Sequence, residues 1–351
     1  MPEVAVAGFA QAPNVRKSEG TTNGVEMLVP ILAEAFAATG LSKQDIGFWC
    51  SGSSDYLAGR AFSFIAAVDA LGAFPPINES HVEMDAAWAL YEAWLKIRTG
   101  EVDTALVYGF GKASAGQLRR VMAMQLDPYL VTPLWPDSLA IAGLQARLGL
   151  EGGLWSEKDL AEVAARSRAD AANNPAAQLS GTVDVAELLD TPYVADPLRA
   201  HDIAPVTDGA SVIILASEER ARDLVERPAI ISGLEHRIDS PVLGARDLTR
   251  SPSTAAAAAA RLDLDGVELA ELHAPFTHQE LILRRELDLD AHVRINPSGG
   301  ALTGNPMFSA GLARIGEAAA RIHRGEAAKT LAHATSGPAL QQNLLAVLEA
   351  R

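Results

Sequence analysis

Apolar residues along this chain follow two spacings that take turns. "EVAVAGFA" near the start alternates and predicts a strand, whereas "GVEMLVPILAEAFAATGLS" repeats at helical spacing and stops at Gly40. "DIGFWCSGSS" predicts a strand running into a Gly/Ser turn, "AAWALYEAWLKIRTG" a helix stopped by Gly100, and "VDTALVYGFG" a buried strand. The rhythm breaks between about residues 115 and 205. There "LDPYLVTPLWPDS" predicts an excursion, and "WSEKDLAEVAARSRADAANNP" a helix with Ser156 and Asp159 placed as a capping box. "ASVIILAS" (210–217) returns to a buried strand. After "RDLVERP" the series restarts with strand "AIISGLE", a helix from about Ser253 through the poly-Ala run 255–260, strand "VELAELH" and helix "THQELILRREL". A Gly-rich turn, helix "FSAGLARIGEAAARIHRG" and strands "KTLAHAT" and "NLLAVLEA" complete it.

Both series run strand–helix–strand–helix–strand, which predicts an α/β fold made of two similar halves. The halves are expected at 1–217 and 218–351, the first interrupted by an insertion over about 115–205. With 351 residues, 48% of them hydrophobic, the chain can bury a large core. A net charge of −15 without a basic stripe argues against nucleic acid as a partner. The single cysteine, Cys50, excludes a disulfide framework or a Cys-based zinc site within the chain and fits a cytoplasmic setting. The start lacks the pattern of a signal peptide, and no apolar run is long enough to predict a membrane span. The histidines are scattered, so no metal site is expected.

One stretch carries candidate chemistry. "INPSGGALTGNPMF" (295–308) suits a tight turn that presents polar side chains and backbone N–H groups, a device for binding a carbonyl oxygen.

Taken in order, several stretches resemble the thiolase superfamily, its sterol-carrier-protein type and the related actinobacterial "lipid-transfer proteins" most of all. They are "TGEVDTALVYGFGKAS" (99–114), "LAEVAARSRADAANNPAAQ" (160–178), "PLRAHDIAPVTDGASVIILAS" (197–217), "VELAELHAPFTHQEL" (267–281) and "NPSGGALTGNP" (296–306). The resemblance covers nearly the whole chain. It implies a five-layer αβαβα fold, a dimer, and acyl-CoA as substrate with no cofactor. It also implies a nucleophilic cysteine at the start of the first buried helix, activated there by the helix dipole. Counting back from Gly100 puts that position at Glu83 in "HVEMDAAWAL", or at Met84 or Asp85 if the register slips; none is cysteine. The second catalytic cysteine would fall in "LAHATSGPALQQ", which holds His333 instead. His273 of "HAPF" matches the histidine of the family's "HDCF", and Asn305 replaces the histidine of its "GHP". Ser298, Gly299 and Gly300 of the turn would meet the acyl-CoA.

Such a set fits retro-aldol cleavage of a β-hydroxyacyl-CoA, as in lipid or steroid side-chain degradation, better than cysteine-dependent thiolysis. Related aldolases use active-site tyrosines, and neither "HAPF" nor the "GNP" turn contains one. Two alternatives stand beside the lyase: a non-catalytic subunit supporting an active thiolase-like paralogue, and an acyltransferase or lipid-transfer protein. The implied partners are a second copy or a paralogue, and a small OB-fold, zinc-ribbon protein that binds acyl-CoA.

Overall fold

The structure, a computed structural model, describes residues 1–18, 25–55, 62–72 and 77–351. The first half contributes strands β1 (Val4–Gln11), β2 (Phe48–Gly52), β3 (Glu79–Val82) and β4 (Thr104–Lys112). A small ribbon of β5 (Tyr193–Ala195) and β6 (Leu198–Arg199) precedes β7 (Val206–Ser217). The second half contributes β8 (Ala229–Ile238), β9 (Leu269–Leu272), β10 (Arg294–Ile295), β11 (Asn305–Pro306), β12 (Lys329–Ser336) and β13 (Gln342–Ala350). Among the described residues eleven of these form one sheet in the order β10-β9-β12-β13-β8-β1-β7-β4-β2-β3, with β11 on β7.

From the centre outward the two halves carry the same order, β1-β7-β4-β2-β3 and β8-β13-β12-β9-β10. The directions match as well. β2 pairs parallel with β3 and β4, as β9 does with β10 and β12, while β7 pairs antiparallel with β1 and β4, as β13 does with β8 and β12. The halves join where Ala5 and Val6 pair with Ile230 and Ala229.

Alternation in β1 shows how the layers arise. Val4 and Val6 face the inner core, whereas Ala5 and Ala7 face the outer one. Helices Val25–Thr39 and Glu218–Leu224 cover the outer face of the first half, and Pro252–Arg261 and Thr277–Glu286 that of the second. Two central helices, Ala86–Arg98 and Ala310–His323, fill the space between the half-sheets. Leu312, Ile315 and Ile322 are fully buried there, each burial being worth about 1.5–3 kcal/mol. The second central helix touches β9 and β12 on one side and β1 and β7 on the other. In a flat sheet β9 and β7 would lie roughly 24 Å apart at about 4.8 Å per strand. One helix reaches both because the sheet folds around it, giving the five α/β layers.

The insertion is more regular than its sequence pattern suggests. The expected excursion "LDPYLVTPLWPDS" is flanked by helices Leu118–Met124 and Ser138–Glu151. Pro128, Pro133 and Pro136 are confined to the connection, and Asp137 caps the second helix by accepting from the Ala140 N–H. Among the described residues no helix is long and apolar enough to cross a membrane.

Candidate active site

The residues after β9, the end of β12, β11 and the N-terminal ends of both central helices meet at a cavity of about 200 Å³. α/β sheets commonly hold ligands at such carboxyl ends of strands. Its walls are mainly apolar, with Leu118, Met122 and Ile141 from the insertion facing Phe276 and the 337–340 loop. Asp85 and His273 are its only titratable lining residues among those described. Three other lining residues, Phe308, Ala339 and Leu340, adopt left-handed φ values of 66°, 52° and 57°. Such conformations cost about 1–3 kcal/mol each and cluster where surrounding structure enforces a particular shape.

Asp85 is the N-cap of the first central helix. One carboxylate oxygen accepts from the Ala87 N–H at 2.9 Å and from Leu312 at 3.0 Å, the other from Gly311 at 2.9 Å. The last two donors open the second central helix, so one carboxylate sits at the positive ends of two helix dipoles. Gly311 permits this approach, because a Cβ there would lie 2.7 Å from Asp85 Oδ1. Burial raises the Asp85 pKa above the ordinary carboxylate value, while the three N–H groups and the Arg314 charge oppose the rise.

Of Glu83 and its alternatives Met84 and Asp85, the structure therefore puts Asp85 at the helix start, two residues beyond the first expectation. Glu83 does not line the cavity; its side chain is 55% exposed and its carboxylate lies 3.5 Å from His81 Nε2. Met84 packs against the inner core, and Asp85 occupies the helix start. The physical reason is the turn after β3: the Met84 N–H bonds to the Val82 carbonyl, and the helix begins only afterwards.

His273 follows β9 directly. Its Nδ1 accepts from the Thr335 N–H at 3.4 Å, which places the ring hydrogen on Nε2, donated to Asn305 Oδ1 at 2.9 Å. Burial pushes the His273 pKa down to about 4; the Asn305 hydrogen bond opposes the shift and the Arg314 charge adds to it. The imidazole is thus neutral near pH 7. Asn305 is held by β11, where its N–H donates to Thr207 Oγ1 at 2.9 Å. With its oxygen engaged by His273, its NH2 group has no partner among the described residues. It is a neutral donor on the cavity wall.

The other expected positions lie behind the wall. His333 is fully buried, 2.8 Å from Asn343 Oδ1, and its carbonyl accepts from the His273 N–H. Burial pushes its pKa down to about 3. Ser298, Gly299 and Gly300 do not reach the cavity. Gly299 and Gly300 take left-handed φ of 96° and 64°, and Ser298 bonds to the buried Glu271–Arg314 ion pair. The inner face of the turn is therefore a structural anchor, and only its far end, from Asn305 to Phe308, meets the cavity. Cys50 is buried on β2 beside Glu92, and burial together with that carboxylate raises its thiol pKa, which leaves it unreactive.

Sequence reasoning missed Gln279, Phe276 and the insertion helices as cavity walls. An Asp just before an apolar helical run was available as a sign of the true helix start. Nothing in the sequence showed that the insertion folds over the site.

No protein-family model matches the chain. It is 29% identical over 198 residues to acetyl-CoA acetyltransferase of Methanothermobacter thermautotrophicus, a match covering 50% of this chain and 51% of the relative. The matched stretch thus spans about half of that protein. It is 27% identical over 241 residues to 17-hydroxy-3-oxo-4-pregnene-20-carboxyl-CoA lyase of Mycobacterium tuberculosis, covering 65% and 61% of the two chains. Among solved structures, Ltp2-ChsH2(DUF35) aldolase superposes with a TM-score of 0.81 at 19% identity, covering 99% of this chain and 98% of that one. Human mitochondrial 3-ketoacyl-CoA thiolase does so with 0.79 at 17% identity, covering 99% of each. The chain has the thiolase fold.

Proposed function

We propose that this chain binds an acyl-CoA thioester in the cavity and cleaves the Cα–Cβ bond of a β-hydroxyacyl-CoA by a retro-aldol reaction. The observation that carries the reading is the neutral His273–Asn305 pair on a wall shared with Asp85, with no thiol in the lining. The Asn305 NH2 would donate to the thioester oxygen, and His273 would hold that amide in the required orientation. Asp85 spends three of its roughly four acceptor sites on backbone N–H groups and keeps one for the β-hydroxyl proton. Its raised pKa makes it the stronger base. The proton passes to Asp85, the Cα–Cβ electrons pass into the thioester as an enolate, and a carbonyl product leaves. Protonation of the enolate at Cα gives the shorter acyl-CoA. The named activities of the pregnene-carboxyl-CoA lyase and the aldolase support C–C cleavage on CoA thioesters and a steroid or other lipid side chain as substrate.

The name Ltp2-ChsH2(DUF35) joins two proteins, and an assembly is part of this reading. A second copy, a thiolase-like paralogue or a small acyl-CoA-binding protein would complete it. Tyr129, Leu130 and Leu134, more than half exposed near the insertion wall of the cavity, give such a partner apolar surface.

A second reading is a non-catalytic subunit, favoured by the engagement of both Asp85 oxygens in helix capping. Turnover of β-hydroxyacyl-CoAs by the complex isolated from the native host, its composition weighed by native mass spectrometry, separates the two. The lyase reading expects His273→Ala to lower kcat by about 10²–10³-fold, from loss of the oriented donor, with the intact mass unchanged. Equal turnover by the variant complex would assign the chemistry to a partner.

A further inference from the structure

Gln279, the third residue of helix Thr277–Glu286, lines the cavity and is only 4% exposed. Its amide orientation is fixed from behind. Gln145, fully buried on the insertion helix Ser138–Glu151, donates through Nε2 to the Leu248 carbonyl at 2.8 Å. A carbonyl can only accept, so the Gln145 oxygen must point the other way. That oxygen accepts from Gln279 Nε2 and from His278 Nε2, each at 3.0 Å. Burial pushes the His278 pKa down to about 3, so its ring is neutral and the hydrogen sits on the nitrogen facing Gln145. Flipping either amide would set two oxygens against each other. Gln279 Oε1 is therefore left as a buried acceptor with no partner among the described residues. A buried acceptor without a donor is unfavourable, and this one belongs to a residue of the cavity wall. Among the described residues no lysine or arginine lines the cavity, and a hydroxyl or amide N–H of a thioester ligand can supply the missing hydrogen bond.

We propose that Gln279 is a specificity-determining residue whose Oε1 accepts a hydrogen bond from a neutral donor on the bound thioester, a hydroxyl or an amide N–H set apart from the reacting carbons. The inference rests on the cavity being an acyl-thioester site and deepens it: the occupant is not a plain hydrocarbon chain. A hydroxyl on the acyl group and an amide of the CoA arm share this chemistry, and binding experiments tell them apart.

The test is calorimetry on the full chain with decanoyl-CoA and with decanoyl-CoAs bearing a single hydroxyl at successive carbons beyond the β position. The wild type is expected to bind one hydroxylated probe about tenfold more tightly than the parent. Gln279→Leu and Gln279→Met, the second keeping the side-chain length, should erase that preference, so that each variant binds the hydroxylated probe and the parent alike. Should both variants instead weaken every probe by the same factor, the donor is the CoA-arm amide. Retention of wild-type affinity and preference in a folded variant overturns the inference. If the wild type binds none of the thioesters, the acyl-CoA reading of the cavity falls, and this inference with it. Binding of every probe with equal affinity by wild type and variants overturns this inference alone.

Discussion

The two halves share one strand order, yet their central helices begin differently. The first helix carries its own cap, Asp85. The second starts after Ser309, whose side chain makes no cap bond and whose hydroxyl is buried without a partner among the described residues. The missing cap comes from the other half, because Asp85 also serves Gly311 and Leu312. The two titratable lining residues among those described come one from each half: the first supplies the Asp85 carboxylate, the second the His273 imidazole with its partner Asn305. A repeated fold thus need not repeat its chemistry: similar strand ladders position two helix starts, and one side chain determines the electrostatics of both.

The largest break in this arrangement is Asp85→Ala. It removes caps from two helices, each worth about 1–2 kcal/mol, so chemical denaturation should show a loss of about 2–4 kcal/mol. A loss below about 1 kcal/mol would mean that the shared cap contributes little.

Acid should weaken the second half next. Burial holds His273, His278 and His333 neutral when folded, with pKa values pushed down to about 4, 3 and 3. In the unfolded chain they take up protons near the ordinary value of about 6.5. Their contribution is therefore fully present above about pH 6.5 and declines as the pH falls through 4 toward 3. Asp85 and Glu271 act in the opposite sense, since burial raises their pKa values and lets the folded state gain protons on them early, which offsets part of this loss. Hydrogen exchange at about pH 5 should show β9 and β12 losing protection before β2 and β4. Equal loss in both half-sheets would remove the asymmetry. The smallest effect is reserved for Ser309→Ala, expected within about 0.5 kcal/mol of wild type or slightly stabilising, because the hydroxyl it removes has no partner among the described residues.

Much of the fold was legible because β4 and the second part of β7, residues 210–217, are largely apolar, and both central helices end at a glycine with left-handed φ, Gly100 and Gly325. The insertion helices were obscured by the three prolines, which dominate that stretch although they occupy only the connection. At the site, His273 and Asn305 were identified from motif position, and the structure brings them to one wall. The helix start was left open among Glu83, Met84 and Asp85 because helix length fixes a register only to within a residue or two; the β3 turn sets it at Asp85. Gln279 was invisible for a different reason: its significance comes from Gln145 and Leu248, which lie far away along the chain.

Because one helix completes the core of both half-sheets, the order of synthesis matters. Translation proceeds at about 5–20 residues per second, so roughly 10–40 s separate emergence of Arg98, where the first central helix ends, from that of Ala310, where the second begins. Through that interval the nascent first half exposes the apolar face of its inner layer and an Asp85 carboxylate lacking two of its three donors. Until the second central helix leaves the ribosome, the earlier part of the chain lacks the element that closes its inner layer.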